Sequence, residues 1–215
     1  MKSAPHRGGC GKFQLIVWFI MVNSTTAFSY ILFDFAFLEL MPQFNCQLDP
    51  HSSVVTQDCS REQICNGTSQ AVLPYTIDYS NATSLHNWVE QLDLVCVSDT
   101  KIGLIGSMYF AGWASTCLVL PLLADLYGRK WIVFSSMVVM AVVMILMTFV
   151  SRSIDLTIAL VFIAGMCTSG TISTGYCYTQ EFFTPKYKIL FGFSYNSLEG
   201  LIYIFQTVYF AYLFK

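Results

Sequence analysis

The sequence predicts an all-α membrane protein with five transmembrane helices and one large loop between the first and second helices. Of its 215 residues, 55% are hydrophobic and only 11% are charged, whereas about 25% of the residues in a soluble domain are charged. Five stretches are long and apolar enough to cross a bilayer, which takes roughly 20 residues per helix. Backbone polar groups find no water inside lipid, and the alternating pattern of barrel strands is absent, so both points favour helices.

Short polar connections separate the five stretches, with one exception. The stretches run from about Phe13 to Leu40, Ile102 to Leu123, Trp131 to Val150, Leu156 to Tyr178 and Ile189 to Phe214. The chain therefore divides into an N-terminus at 1–12, a first transmembrane helix at 13–41, a polar loop at 42–101 and transmembrane helices two to five at 102–215. A cleaved signal peptide is the alternative for the first stretch, but signal sequences have a shorter apolar part of roughly 7–15 residues.

The placement of Lys and Arg predicts the orientation, because cytoplasmic loops carry an excess of these residues. If the N-terminus is cytoplasmic, seven of the eleven lie on that side: Lys2, Arg7, Lys12, Arg129, Lys130, Lys186 and Lys188. The other four lie on the opposite side: Arg61, Lys101, Arg152 and Lys215. The 42–101 loop is then extracellular or lumenal.

The composition of the 42–101 loop agrees with that side. It contains two glycosylation sequons, at Asn66 and Asn81. It also contains an even number of cysteines, Cys46, Cys59, Cys65 and Cys96, which suits disulfide formation in an oxidising compartment. Four cysteines allow three pairings, and unused sequons with free thiols are the alternative. A further sequon, at Asn23, lies within the first predicted helix and is expected to be unreachable.

Several classes of function lack support in the sequence. The chain has no basic stripe with interleaved aromatic residues, so nucleic acid is not an expected partner. The three histidines, His6, His51 and His86, are scattered, and no metal-ligand spacing appears. Phosphate-binding, dinucleotide-binding and nucleophile-elbow motifs are also missing. We therefore expect no enzyme activity, no cofactor and no metal.

One short connection carries a specific motif. The run Pro121-Leu-Leu-Ala-Asp125-Leu-Tyr-Gly128-Arg129-Lys130 lies between the second and third stretches. It resembles the signature loop of the major facilitator superfamily, roughly G-x-x-x-D-R-x-G-R-K, with Pro121 in place of the leading glycine and Leu126 in place of the basic residue. Gly128 suits a tight turn, and Asp125 is placed to pair with Arg129. The resemblance implies that this loop helps to control the cytoplasmic gate.

Further strings are similar to the organic cation, organic anion and carnitine transporter family. They are Gly11-Lys-Phe-Gln14, Pro42-Gln-Phe-Asn-Cys46, Trp88-Val-Glu-Gln-Leu-Asp-Leu-Val-Cys96 and Tyr178-Thr-Gln-Glu181. The resemblance implies the N-terminal half of a major facilitator bundle that carries small organic ions, with plasma membrane or an organelle membrane as the location. It also implies gate roles for Glu181 and Lys188, with local pairing of Glu181 to Lys186 or Lys188 as the alternative.

The length of the chain leaves two functions open. The family forms twelve helices in two halves, with substrate held between them, whereas this sequence ends after the fifth predicted helix. The first hypothesis is therefore a secondary-transporter polypeptide that works by alternating access and needs a second half. The alternative is a truncated relative that does not transport and acts as a structural or regulatory membrane subunit.

Polar and aromatic residues within the stretches are the candidates for substrate contact. Glu199 lies near the middle of the fifth stretch, where a charge costs several kcal/mol by insertion scales; it is a candidate cation or proton site, or a carboxyl paired with a neighbouring helix. Asp34 and Glu39 either line an outer mouth or lie at the lipid–water interface. The remaining candidates either contact substrate through cation–π or polar interactions or only pack: Trp113, Tyr176, Tyr178, Tyr203 and Gln206. Gly165, Gly170 and Gly175 are expected to allow close helix packing.

Overall fold

The computed structural model describes residues 11–46, 56–65, 73–81, 84–149 and 153–213. Within these ranges the chain forms a bundle of helices that carries a small sheet between its first and second long helices. The predicted sequon at Asn66 and the N-terminal residues up to position 10 lie outside the described residues.

The helices follow the predicted stretches closely. The main helices are α1 (Lys12–Leu38), α4 (Asp99–Cys117), α5 (Val119–Tyr127), α6 (Arg129–Phe149), α7 (Ile154–Thr168), α8 (Gly175–Gln180) and α9 (Pro185–Val208), and the loop holds the short helices α2 (Arg61–Cys65) and α3 (Trp88–Gln91). A π-helical turn, Ser169–Thr174, joins α7 to α8, and another, Tyr209–Leu213, continues α9.

Three of the described helical segments are long and apolar enough to cross a membrane: α1, α6 and the continuous segment Ile154–Gln180. The pair α4 and α5 makes a fourth if it is counted as one span, with a bend of 43° between its halves. The bend follows from Pro121, which lies in the first turn of α5 and has no backbone N–H to donate to the Cys117 carbonyl one turn earlier.

Helix α9 coincides with the fifth predicted stretch but is less apolar than the others. Its 24 residues are sufficient in length, yet it is not among the helices apolar enough to qualify as a span. Asn196, Glu199 and Gln206 interrupt its hydrophobic sequence. The multi-pass helical architecture is therefore established, and a total of five spans remains a prediction.

Helices α4 and α7 pack with their backbones in close contact. A Cβ atom on Gly112 would overlap the carbonyl oxygen of Phe162, and one on Gly165 would overlap that of Tyr109. The two backbones can approach only because both positions are glycine. The buried Tyr109 hydroxyl lies 2.8 Å from Thr168 Oγ1 and completes the contact with a hydrogen bond. The expected packing role of Gly165 is thus confirmed.

The described part of the 42–101 loop contains a small sheet as well as short helices. Strands β1 (Phe44–Cys46), β2 (Thr56–Cys59) and β3 (Tyr75–Ile77) form an antiparallel sheet in the order β2-β1-β3. Ile64, Val89, Leu94 and Val95 form its hydrophobic centre. The chain is therefore mainly helical, as predicted, with a small sheet in addition. Open sheet edges of this kind are tolerated in water, whereas lipid excludes them.

Two disulfide bonds resolve the pairing that the sequence left open. Cys46 pairs with Cys59, linking β1 to β2, and Cys65 pairs with Cys96, linking α2 to the turn that precedes α4. The second bond therefore ties the middle of the loop to the start of the next long helix.

Side chains attach the loop to the end of α1. The Asn87 amide donates to the carbonyl oxygens of Phe37 and Leu40 at 3.1 and 2.7 Å, while its oxygen accepts from the Val89 backbone N–H and caps α3. Nearby, a hydrogen bond with His86 at 2.8 Å holds the pKa of the Glu90 carboxyl below its usual value. Asn87 thus connects the start of α3 to the end of α1.

Candidate functional site

A group of polar side chains lies between α1 and α9. The Ser29 hydroxyl of α1 lies 3.3 Å from Glu199 Oε1 of α9 and 3.2 Å from the Thr25 carbonyl oxygen. One helical turn before Glu199, the buried Tyr195 places its hydroxyl beside Thr25 and Glu199, without a hydrogen bond of normal geometry. We call Thr25, Ser29, Tyr195 and Glu199 the central cluster.

The Glu199 carboxylate has no cationic partner in the part of the chain that the structure describes. Its surroundings offer only a serine hydroxyl and a tyrosine hydroxyl. A charged carboxylate held between two apolar helices needs compensation that two hydroxyl groups do not supply. The central cluster is therefore suited either to a proton on Glu199 or to a positively charged ligand.

A second polar pair joins the same two helices closer to the loop. The Gln206 amide nitrogen donates to Asp34 Oδ1 at 2.9 Å and to the Tyr30 carbonyl oxygen at 3.3 Å. Gln206 is only 2% exposed, and its Oε1 atom is buried without a hydrogen-bond partner. A cleft of about 200 Å³ opens here, lined by Tyr30, Asp34, Phe205, Gln206, Tyr209 and Phe210. We call it the outer cleft.

The predicted aromatic candidates are divided among different places. The Tyr176 ring meets that of Tyr195 at a centroid distance of 5.6 Å and so borders the central cluster. Tyr203 packs on Phe33 at 4.8 Å, also between α9 and α1. The other two candidates lie away from the contact between α1 and α9. Trp113 packs against Tyr109 in the core, and Tyr178 packs against Phe182 near the end of α8.

At the opposite end of the bundle from the loop, Arg129 bridges two carboxylates. Its Nη2 atom lies 3.0 Å from Asp125 Oδ1, and its Nη1 atom lies 2.9 Å from Glu181 Oε1. Asp125 is on α5, Arg129 begins α6, and Glu181 follows α8. We call this trio the arginine clamp, because it connects three helix ends.

The backbone at Gly128 makes the clamp possible. This residue has a φ of +98°, which glycine tolerates far better than other residues, and it turns the chain between α5 and α6 so that Arg129 faces back towards Asp125. Glu181 is paired with Arg129, and among the described residues no ion pair joins it to Lys186 or Lys188. Lys130 and Lys188 are exposed and make no ion pair with the described residues.

Sequence reasoning missed three members of the central cluster: Thr25, Ser29 and Tyr195. The signal was present in helical spacing, since Thr25 and Ser29 are four residues apart, as are Tyr195 and Glu199, so each pair shares one helix face. Spacing within each helix cannot show that α1 packs against α9, because this tertiary contact joins segments about 170 positions apart.

Comparison with known proteins agrees with this architecture. The family model described as Major Facilitator Superfamily matches residues 61–205. An organic cation transporter-like protein of Drosophila melanogaster is 24% identical over 213 aligned residues, which cover 87% of this chain and 37% of that protein. The chain thus spans little more than a third of the length of this relative.

Proposed function

The chain belongs to the major facilitator superfamily, and we propose that it forms part of a secondary transporter for small organic ions, with cations as the favoured charge. It is a multi-pass integral membrane protein, and we place it in the plasma membrane. Transport by alternating access needs a cavity between two halves, so we propose that these helices act with a second helical half, in one polypeptide or as a partner.

The observation that carries this proposal is the unpaired Glu199 carboxylate in the central cluster. It lies where two helices meet, and it has no Lys, Arg or His partner among the described residues. The Tyr195 hydroxyl lies beside it, and the Tyr195 ring packs against that of Tyr176. A carboxylate with adjacent aromatic rings is the chemistry that attracts organic cations. The name of the Drosophila relative points to the same class of ligand. Tyr203 and Gln206 lie further along α9 and extend this surface.

We assign the gate to the end of the bundle that carries the arginine clamp, and we place that end in the cytoplasm. With Arg129 holding both Asp125 and Glu181, the ends of α5, α6 and α8 stay together. Opening on this side then requires exposed ion pairs to separate, which costs about 0–1 kcal/mol each. Such a cost suits a gate that opens and closes readily. Lys130 and Lys188 supply further positive charge at this surface.

A non-transporting membrane subunit is the second candidate function. Pro121 occupies the position of the motif's leading glycine, and the span bends there by 43°. A bend at this place alters how the gate end of the second span can pack against another half. Under this proposal the chain binds a partner in the membrane and moves no solute.

An uptake assay separates the two functions. The full chain is reconstituted in proteoliposomes and offered radiolabelled tetraethylammonium, with Glu199→Gln as the test variant. We expect wild-type uptake and a loss of about tenfold or more in Glu199→Gln, since removing one charge contact of roughly 1.5–3 kcal/mol has that effect. Glu62→Gln, which alters an exposed glutamate in the loop, is the control and is expected to match the wild type. Absence of uptake from every protein would favour the subunit, and equal uptake by Glu199→Gln would remove Glu199 from the site.

A further inference from the structure

We infer that a proton and an organic cation compete for the Glu199 carboxylate, so that binding of one cation releases one proton. The inference rests on the proposed handling of organic cations and adds to it a coupling to pH. In the exchange, the carboxyl group of Glu199 loses its proton to the surrounding water, and the cation takes its place beside the carboxylate. The net charge of the central cluster is therefore zero in both states.

The Ser29 hydroxyl has one hydrogen but two oxygen neighbours that could accept it. Its Oγ atom lies 3.2 Å from the Thr25 carbonyl oxygen and 3.3 Å from Glu199 Oε1. A hydroxyl group donates once and accepts through its own lone pairs. If Ser29 donates to the Thr25 carbonyl oxygen, as serines within helices can do, its Oγ atom can only accept from Glu199. In that arrangement Glu199 must carry a proton.

A proton on Glu199 completes a chain of hydrogen bonds from α9 to α1. The carboxyl group donates to Ser29 Oγ, and Ser29 donates to the Thr25 carbonyl oxygen, so each hydrogen of the chain has an acceptor. When Glu199 is ionised, Ser29 must turn its hydrogen from the carbonyl oxygen to the carboxylate. A hydroxyl hydrogen can rotate in this way, so the same side chains serve both states of Glu199 without moving a heavy atom.

The charges around Glu199 favour the proton when no cation is bound. In the described part of the chain, no Lys, Arg or His pairs with this carboxylate. The side chain that faces it from α1 is Ser29, which does not titrate. The titratable groups nearby are two uncharged hydroxyls, that of Tyr195 on α9 and, behind the Tyr195 ring, that of Tyr176 on α8. An ionised carboxylate in such surroundings is costly, and binding a proton or a cation removes that cost.

An incoming cation can reach the carboxylate. Glu199 is only half-buried, and neither of its oxygens is among the described buried atoms that lack a hydrogen-bond partner. Since Oε1 is the atom that faces Ser29, Oε2 is left accessible for a ligand. A positive charge beside Oε2 favours the ionised form of the carboxyl group. The proton and the cation therefore exclude each other at this one side chain.

The test measures binding and proton release with the full chain in lipid nanodiscs. Tetraethylammonium is titrated calorimetrically at several values between about pH 5 and pH 8, in two buffers that differ in their heat of ionisation. We expect up to about one proton released per cation bound, and an affinity that rises by up to about tenfold per pH unit until the empty site is ionised. Infrared difference spectra should show the carbonyl stretch of a protonated carboxyl group disappearing as the cation binds.

Glu199→Gln keeps the size of the side chain but can neither ionise nor release a proton. It is expected to bind tetraethylammonium about tenfold or more weakly, with no proton released and no infrared change. Glu62→Gln, the same substitution at an exposed position of the loop, is the matched control and is expected to behave like the wild type.

The outcomes separate this inference from the proposed function. Wild-type binding at constant affinity, without proton release, would overturn the inference and leave the handling of organic cations intact. Absence of binding at every pH would overturn both. Proton release that persists in Glu199→Gln would assign the proton to another carboxyl group, such as Asp34, and would also overturn the inference.

Discussion

At the scale of single residues, two glycines of the same helix have different surroundings. Gly103 and Gly112 both lie in α4, but a Cβ atom on Gly103 would meet nothing within 4 Å, whereas one on Gly112 would overlap the Phe162 carbonyl oxygen. A pair of alanine substitutions therefore separates intrinsic helix preference from packing.

We predict that Gly112→Ala lowers the free energy of unfolding by about 1–3 kcal/mol, because α4 and α7 must move apart to admit the methyl group. Gly103→Ala should be neutral or stabilising by up to about 1 kcal/mol, since alanine favours helix and no neighbour is displaced. Thermal unfolding of the two variants in the same detergent measures the difference. Equal midpoints for both would contradict the close approach of the two helices.

Residue-scale prediction from the sequence succeeds where chemistry is local and fails where it depends on distant partners. The Asp125–Arg129 pair was predictable, since the two residues are four apart across a glycine turn. Glu199 stood out because a charge in an apolar stretch is rare. Ser29 and Tyr195 did not stand out, because hydroxyl groups are common in helices and only the packing of α1 on α9 brings them together.

At the scale of elements, the arginine clamp joins three helix ends through one side chain. We predict that Arg129→Gln increases hydrogen–deuterium exchange at the backbone amides of 125–131 and 178–183. The rise should be about thirtyfold or less, because the variant removes two exposed ion pairs that contribute at most about 1 kcal/mol each. Lys186→Gln, at the same end of the bundle, should leave exchange unchanged, since Arg129 is the partner of Glu181. A larger effect from Lys186→Gln would indicate that Glu181 pairs with Lys186 and not with Arg129.

Elements also differ in how far the sequence can specify them. Apolar length determined the long helices, and their predicted bounds differ from the structure by only a few residues. The sheet in the loop escaped prediction because its strands have three or four residues each, too few for an alternating pattern to be recognised. The bend at Pro121 follows from proline chemistry and was open to prediction, although its angle was not.

At the scale of the whole molecule, composition is sufficient for the membrane class but not for the exact number of spans. A charged fraction of 11% is too low to cover the whole surface of a water-soluble protein. Helix α9 is the uncertain element because its polar residues lower its hydropathy, and those same residues, Glu199 and Gln206, are the ones that make the candidate sites. The polar residues that suggest a function therefore also lower the hydropathy by which a membrane span is recognised.

The orientation of the molecule gives the last prediction. If the 42–101 loop faces the lumen during synthesis, Asn81→Gln and Asn66→Gln, made in mammalian cells, should each remove one glycosidase-sensitive shift in gel mobility. Asn23→Gln is the matched control, because Asn23 lies within α1, a membrane-spanning candidate, and should leave mobility unchanged. The arginine clamp would then face the cytoplasm, as a gate on that side requires. Unmodified loop asparagines, together with glycosylation of a sequon inserted at 125–130, would reverse the orientation and place the clamp outside.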